Sequence, residues 1–193
     1  LSRYLRAEVC RDGYIWTQEY ERGRATTKVK KTEKCRHTGT AVIFDPDPEV
    51  FKEIKFDSKR VLDHLREQAY LTKGVKITFR DERVEPYSSY TFYFEGGIVS
   101  FVTYLVRDEQ PIHANIFYIS KTIQDILVEA AFFYTEDLQP EELSFANNIH
   151  TGEGGMHLTG FRTALTRTLN DYARKNGYIK ESEENLTGDD VRE

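Results

Sequence analysis

A glycine-rich turn that leads directly into a long amphipathic segment constrains the fold of this chain most. Gly152, Gly154 and Gly155 precede residues 156–176. Apolar residues recur in this segment at steps of three or four: Leu158, Phe161, Leu165, Leu169 and Tyr172. That period places them on one face of an α-helix. Because Gly177 suits a helix end, we predict a single long helix that packs one face against another layer.

The same glycines suggest a second interpretation, a phosphate-binding loop at a helix N-terminus. The spacing argues against it, because His157 stands where GxGxxG requires glycine and the chain contains no GxxxxGK[ST] sequence. We therefore predict a tight turn that sets the direction of the helix. His157, in the first turn, is expected to form a structural hydrogen bond.

The first part of the chain has strand-like runs separated by turn residues. Residues 5–10 and 14–20 flank Arg11-Asp12-Gly13, and Asp-Gly between two such runs predicts a hairpin. The basic stretch 22–37 is expected to be a solvated excursion of that hairpin. Residues 38–44 (TGTAVIF) predict another strand, which ends before two prolines.

The remaining elements alternate between helix and strand. Helices are predicted at 58–71 and, after Gly96-Gly97, at 98–106. Strands are predicted at 75–79, 90–94, 116–119, 126–134 and 143–146. The stretch RDEQP at 107–111 is a candidate boundary. A strand, a long helix and a return to a sheet form a βαβ-like unit, so the predicted class is α+β or mixed α/β.

Composition limits the classes of function. The formal net charge is -5, so any contact with DNA requires a local basic patch or additional sequence. The chain contains no apolar run of the roughly 20 residues that span a bilayer. Cys10 and Cys35 lack metal-site spacing. We expect free thiols in a cytoplasmic protein, with pairing under oxidising conditions as the alternative.

The residues on their own reveal no complete active site. The five histidines are scattered, and no nucleophile elbow or catalytic-cysteine signature is present, so neither a metal site nor a catalytic residue is predicted. Arg162, Arg167 and Arg174 project from the predicted long helix, and Asp171 can pair with Arg167. These arginines suggest a solvated face or, alternatively, a stripe that faces a phosphate backbone or a partner subunit.

Several segments, in the same order, resemble the B subunits of bacterial type IIA topoisomerases. NNIHTGEGGMHLTGFRTALTRTLNDYAR, followed by LTGDDVRE, resembles the transducer domain of their ATPase region. HTGTAVIFDPDPEVF, LREQAYLTKGVKITFRDER and FYFEGGIVSFVTYL resemble the closing part of the preceding ATP-binding domain, which is of the GHKL class. LSRYLRAEVCRDG resembles the helix end and hairpin that follow the ATP lid. Essentially the whole chain is covered, and the gyrase type is favoured over the topoisomerase IV type.

The resemblance implies a domain division and three binding residues. Residues 1–97 would be the C-terminal part of the GHKL ATP-binding domain, and 98–193 an incomplete transducer domain with a ribosomal-protein-like βαβ fold. Arg11 would line the mouth of the nucleotide pocket, where aminocoumarin inhibitors bind. Thr40 would help to bind adenine, and Val42, on the same face of its strand, would form apolar pocket wall.

The resemblance also implies what this chain lacks. The general base, the magnesium-binding asparagine, the adenine-binding aspartate and the glycine-rich lid would precede Leu1, and the lysine that reaches the γ-phosphate would follow Glu193. We therefore expect a fragment that does not hydrolyse ATP or hold ATP and Mg²⁺ tightly by itself.

In the complete subunit, the expected partners are an A-type subunit, a second B-type subunit and double-stranded DNA. The transducer is expected to move relative to the ATP-binding domain at the 96–111 connection. Two other classes stay open: a non-enzymatic nucleic-acid or protein interaction module of similar fold, and a different GHKL ATPase.

Overall fold

The computed structural model describes residues 1–137 and 140–192, which divide into two compact units, Leu1–Asp57 and Ser58–Glu193. The predicted domain boundary between residues 97 and 98 falls within the second unit. Compactness does not test that boundary, because helices on its two sides can pack together and still belong to different domains. The division into an ATP-binding part and a transducer part therefore stays a prediction.

The first unit is an antiparallel sheet. Its strands are β1 (Ser2–Arg11), β2 (Tyr14–Glu21), β3 (Arg24–Ala25), β4 (Lys30–Lys34) and β5 (Gly39–Pro46). They are ordered β3-β2-β1-β5, and β4 also pairs with β2. The predicted Asp-Gly hairpin is confirmed: Asp12 and Gly13 have φ values of 54° and 80°, the left-handed conformation that a tight hairpin turn requires.

One expectation for this unit is wrong: the start of the chain does not end a helix, because β1 begins at Ser2. The basic stretch is exposed, as expected, but it is not irregular, since Arg24–Ala25 and Lys30–Lys34 both pair with β2. The ammonium of Lys31 lies 3.2 Å from the centre of the Tyr14 ring. The cation–π contact and the pairing with β2 thus hold this charged segment in a regular conformation, which its composition does not predict.

The second unit contains three helices among the described residues, with short sheets between them. Its elements are α1 (Ser58–Leu71), β6 (Ile77–Asp81), β7 (Ser88–Phe92), α2 (Ile98–Leu105), β8 (Phe117–Ile123), β9 (Ile126–Phe132), β10 (Phe145–Ala146), β11 (Ile149–His150) and α3 (Met156–Lys175). Three antiparallel pairs form: β6–β7, β8–β9 and β10–β11. The mixed α+β class is confirmed.

An aromatic stack forms part of the core of this unit. Tyr70, at the end of α1, is buried, and its ring lies 3.6 Å from that of Phe94 and 4.9 Å from that of Phe101 on α2. Gly97 starts α2 with a φ of 59°, and a Cβ at that position would lie 3.7 Å from the carbonyl oxygen of Tyr70. A Cβ would thus fit at ordinary contact distance, and it is the positive φ that favours glycine at the start of α2.

The long helix is confirmed, with one correction to its packed face. Leu158, Phe161, Leu165 and Leu169 are half-buried, and the Phe161 ring lies 6.3 Å from that of Phe132 on β9. Tyr172, predicted on the same face, is 58% exposed and stacks on Tyr178. The apolar stripe therefore ends before Tyr172. Near this end of α3 the buried residue is Asn170.

Candidate functional site: one face of the β1–β5 sheet

The three predicted binding residues lie on one face of the first unit. In the β1–β5 register, Val9 is opposite Thr40 and Ala7 is opposite Val42. Side chains alternate along a strand, and residues directly opposite each other share a face. Arg11 follows Val9 by two residues, so it shares the face of Thr40 and Val42. The sheet thus brings together residues that are far apart in sequence.

This face is accessible to a ligand. Val42 is 58% exposed, and Thr40 is also exposed. The Arg11 side chain is 77% exposed, and its Nε lies 3.9 Å from Oδ2 of Asp12. A hydroxyl that can donate and accept, an apolar surface and a guanidinium can together contact a ligand with a polar heterocycle and negative charge.

Sequence reasoning missed Trp16, which lies on the same face. Trp16 pairs with Val9 in the β1–β2 register, and its indole N–H donates to the carbonyl oxygen of Arg11 at 3.3 Å. The ammonium of Lys31 lies 5.9 Å from the centre of the Trp16 ring. The position of Trp16 could have been predicted, because alternation along the two strands of the Asp-Gly hairpin places Trp16 on the same face as Arg11. The position of Lys31 could not, because only the pairing of β4 with β2 brings it to the ring.

The two cysteines are not free thiols in the structure, which corrects that expectation; Cys10 lies between Val9 and Arg11 on β1, so its side chain is on the opposite face of the sheet. Cys10 and Cys35 form a disulfide with a Cα–Cα distance of 6.1 Å. Cys10 precedes Arg11 on β1 and is opposite Gly39, the neighbour of Thr40. The bridge therefore fastens the segment between β4 and β5 to the strand that carries Arg11.

The arginines of α3 do not form one free stripe. Arg162 pairs with Glu142, and Arg174 donates to Oδ1 of Asn185 at 2.7 Å and to the carbonyl oxygen of Glu183 at 2.9 Å. Arg167 is exposed, and the described part of the chain shows no ion pair between it and Asp171. Arg174 is thus occupied in fixing the segment after α3.

The glycine turn before α3 is held by a small hydrogen-bond cluster. The Gly154 N–H donates to the carbonyl oxygen of Thr151 at 2.8 Å. Oγ1 of Thr151 lies 2.6 Å from Oγ of buried Ser144 and 3.2 Å from Nε2 of His157. The prediction of a tight turn with a structural histidine is confirmed.

Within residues 1–137 and 140–192, no group of three acidic, histidine or cysteine side chains is arranged to hold a metal ion. No described helix is both long enough and apolar enough to cross a membrane.

Solved structures of similar fold are ATP-binding regions of DNA topoisomerases. The 43K ATPase domain of Thermus thermophilus gyrase B, in complex with an aminocoumarin, matches with a TM-score of 0.85 and 36% identity over 100% of this chain and 52% of that one. The ATP binding domain of topoisomerase IV from Francisella tularensis, in complex with a small-molecule inhibitor, matches with a TM-score of 0.81 and 26% identity, covering 97% and 50%. These neighbours define the class of fold, a GHKL-type ATPase region, as the sequence predicts.

Sequence comparison narrows the class to one family. The DNA gyrase B family model matches residues 97–193. The gyrase B proteins of Clostridium acetobutylicum and of Enterococcus faecalis are each 43% identical across the whole chain. The chain spans 30% of the length of each of these two relatives. It belongs to the DNA gyrase B family.

Proposed function

We propose that this chain is part of the ATPase region of a B-type subunit of a type IIA DNA topoisomerase, in which ATP binding and hydrolysis drive DNA strand passage and supercoiling. The observation that carries the proposal is the placement of Arg11, Thr40 and Val42 on one exposed face, in a chain whose whole length is similar to gyrase B. Thr40 then contacts adenine, Val42 packs against it, and Arg11 lies at the pocket mouth.

The remaining catalytic groups come from elsewhere in the subunit. This chain supplies part of the nucleotide pocket and contributes neither the general base nor the lysine that contacts the γ-phosphate. ATP and Mg²⁺ are the cofactors of the complete subunit. Its partners are an A-type subunit, a second B-type subunit and double-stranded DNA, and it acts in the cytoplasm. The aminocoumarin bound to the similar Thermus domain supports an inhibitor site near Arg11.

Hydrogen bonds inside the second unit could carry a conformational change from the ATP-binding part to the transducer part. Nε2 of Gln68 on α1 donates to the carbonyl oxygen of Asn148 at 2.9 Å, and Nδ2 of Asn148 donates to Oγ1 of Thr72 at 3.1 Å. Asn148 belongs to the β10–β11 turn, which leads through Thr151 and His157 to the start of α3. Helix α1, on the ATP-binding side of the proposed boundary, is thus joined by hydrogen bonds to the transducer side.

The alternative within the same class is a topoisomerase IV subunit that decatenates DNA. The similarity to the Francisella topoisomerase IV domain supports this second candidate. Assays of the complete enzyme on relaxed and on catenated DNA would distinguish the two activities.

Removal of the Thr40 hydroxyl tests the proposed pocket. In the complete subunit, Thr40→Val keeps the shape and strand preference of the side chain but loses its hydrogen bond. One hydrogen bond contributes about 1 kcal/mol, so we expect nucleotide affinity to fall about fivefold to tenfold in equilibrium binding with a non-hydrolysable ATP analogue.

The matched control is Ala41→Ser, one residue further along β5 on the opposite face. It should leave nucleotide affinity unchanged. Equal affinity of wild type and Thr40→Val would argue against an adenine contact at Thr40.

A further inference from the structure

We propose that Cys10 and Cys35 form a reversible redox modification site, and that their oxidation state controls ligand affinity at the face of Arg11, Thr40 and Val42 through the segment that leads into β5. The predicted effect on affinity rests on the proposed nucleotide pocket. The formation of the crosslink is independent of that pocket. The oxidant is a small-molecule disulfide of the glutathione type.

The backbone already holds the two cysteines together. Cys10 is 6% exposed and lies in β1, where pairing with β2 and β5 fixes it from both sides. The N–H of Cys35 donates to the carbonyl oxygen of Gly13 at 3.0 Å, which anchors Cys35 to the turn of the β1–β2 hairpin. The resulting Cα–Cα distance of 6.1 Å suits a disulfide without rearrangement of the sheet.

The surroundings indicate which cysteine reacts first. Cys35 is half-buried, whereas Cys10 is almost fully covered, so an external disulfide reaches Cys35. Cys35 is therefore assigned as the attacking residue and Cys10 as the resolving one.

The reaction is a pair of thiol–disulfide exchanges. The Cys35 thiolate attacks one sulfur of the disulfide R–S–S–R, forms a mixed disulfide and releases one thiolate R–S⁻. The Cys10 thiolate then attacks the Cys35 sulfur and releases the second R–S⁻. Two electrons pass from the cysteine sulfurs to R–S–S–R, and the two protons of the cysteine thiols end on the released thiols. Excess thiol reverses both steps.

The crosslink acts on the segment that precedes Thr40. Residues 35–38 belong to no strand or helix, and they lead directly into β5 at Gly39. Oxidation closes a loop with a sequence separation of 25 and ties this segment to β1 next to Arg11. Fewer conformations of the pocket residues then compete with the binding-competent one, which increases affinity without a new ligand contact.

The test uses the complete subunit equilibrated in glutathione buffers from fully reducing to fully oxidising. Alkylation of free thiols followed by mass spectrometry measures the fraction of linked Cys10–Cys35 peptide. Equilibrium binding of adenylyl-imidodiphosphate and of an aminocoumarin is measured on the same samples. Cys35→Ser is the matched variant, because Cys35 is only half-buried and serine there leaves buried Cys10 unchanged.

We expect the linked peptide to form as the buffer becomes oxidising, and both ligands to bind about tenfold tighter to that form. Cys35→Ser should bind with the affinity of the reduced protein in every buffer. Two thiols that stay free in all buffers would overturn the proposal, and so would linked protein with unchanged affinity. If neither redox form binds either ligand, the proposed pocket fails as well, and that result is distinct from equal binding by both forms.

Discussion

At the residue scale, Asp81 joins the start of α1 to the β6–β7 hairpin. Its carboxylate accepts hydrogen bonds from Nε of Arg83 at 2.8 Å and from Oγ of Ser58 at 2.8 Å. The hydrogen bonds from Arg83 and then from Ser58 lower the pKa of Asp81 well below its ordinary value of 3.8. Ser58 is the first residue of α1, so this carboxylate fixes where the helix begins.

Asp81 gives the stability a predictable pH dependence. Because the folded-state pKa lies below the unfolded value, its contribution is fully present above about pH 4 and is lost as pH falls towards the folded pKa. We expect Asp81→Asn to lower the melting temperature near pH 7, and the difference from wild type to shrink below about pH 4. Glu82→Gln, at an exposed neighbouring ion pair, is the control. A constant difference across this pH range would contradict the assignment.

Asn170 is a buried polar residue that fixes the segment after α3. Its Nδ2 donates to the carbonyl oxygen of Leu186 at 2.9 Å, and its Oδ1 accepts from the Leu186 N–H at 2.8 Å. We expect Asn170→Ala to reduce the free energy of unfolding by about 1–3 kcal/mol, because both backbone groups lose their partner. Urea denaturation measures the loss. Asp171→Ala, on the exposed side, should change stability by less than about 0.5 kcal/mol.

At the element scale, the β10–β11 turn is hydrogen-bonded to α1 and leads into the start of α3. Asn148→Gly preserves the left-handed φ of 63° and the carbonyl that Gln68 contacts, and removes only the bond to Thr72. In the complete enzyme we expect ATP hydrolysis to stay within about twofold, while strand passages per ATP fall about twofold to fivefold. Topoisomer counts and phosphate release measure this ratio.

Asn147→Gly is the control for that experiment, since Asn147 has the same left-handed backbone, with a φ of 49°. It should preserve the ratio of strand passage to hydrolysis. An unchanged ratio in Asn148→Gly would show that the turn does not transmit the nucleotide state.

The elements themselves were largely predictable from local pattern. The α1 prediction has the same ends as the helix, and α3 ends one residue before its predicted end, because apolar period and flanking glycines are local signals. Strands β3 and β4 were missed, since the basic residues around Lys31 carry no apolar alternation. These two strands are formed by pairing with β2, and that pairing exists only in the folded sheet.

At the scale of the whole molecule, the proposed function gives this chain part of the binding surface and assigns phosphate transfer to groups elsewhere in the subunit. Hydrolysis needs a base to orient water and positive groups to neutralise charge in the transition state. We expect the isolated 193-residue chain to release phosphate from ATP at least about a thousandfold more slowly than the complete subunit. Turnover comparable to that of the complete subunit would refute the placement of the catalytic groups outside this chain.

The helices, the Asp-Gly hairpin, the α+β class and the family can all be predicted from the amino-acid sequence, because each depends on local period, turn chemistry or ordered motifs. The sequence also places Thr40 and Val42 on one side of a strand, through alternation. The register between β1 and β5 puts Arg11 and Trp16 on that same side, and long-range packing brings Cys10 to Cys35 and buries Asn170. Those facts depend on strand register and long-range packing, which are set by contacts between distant residues and leave little trace in any one segment.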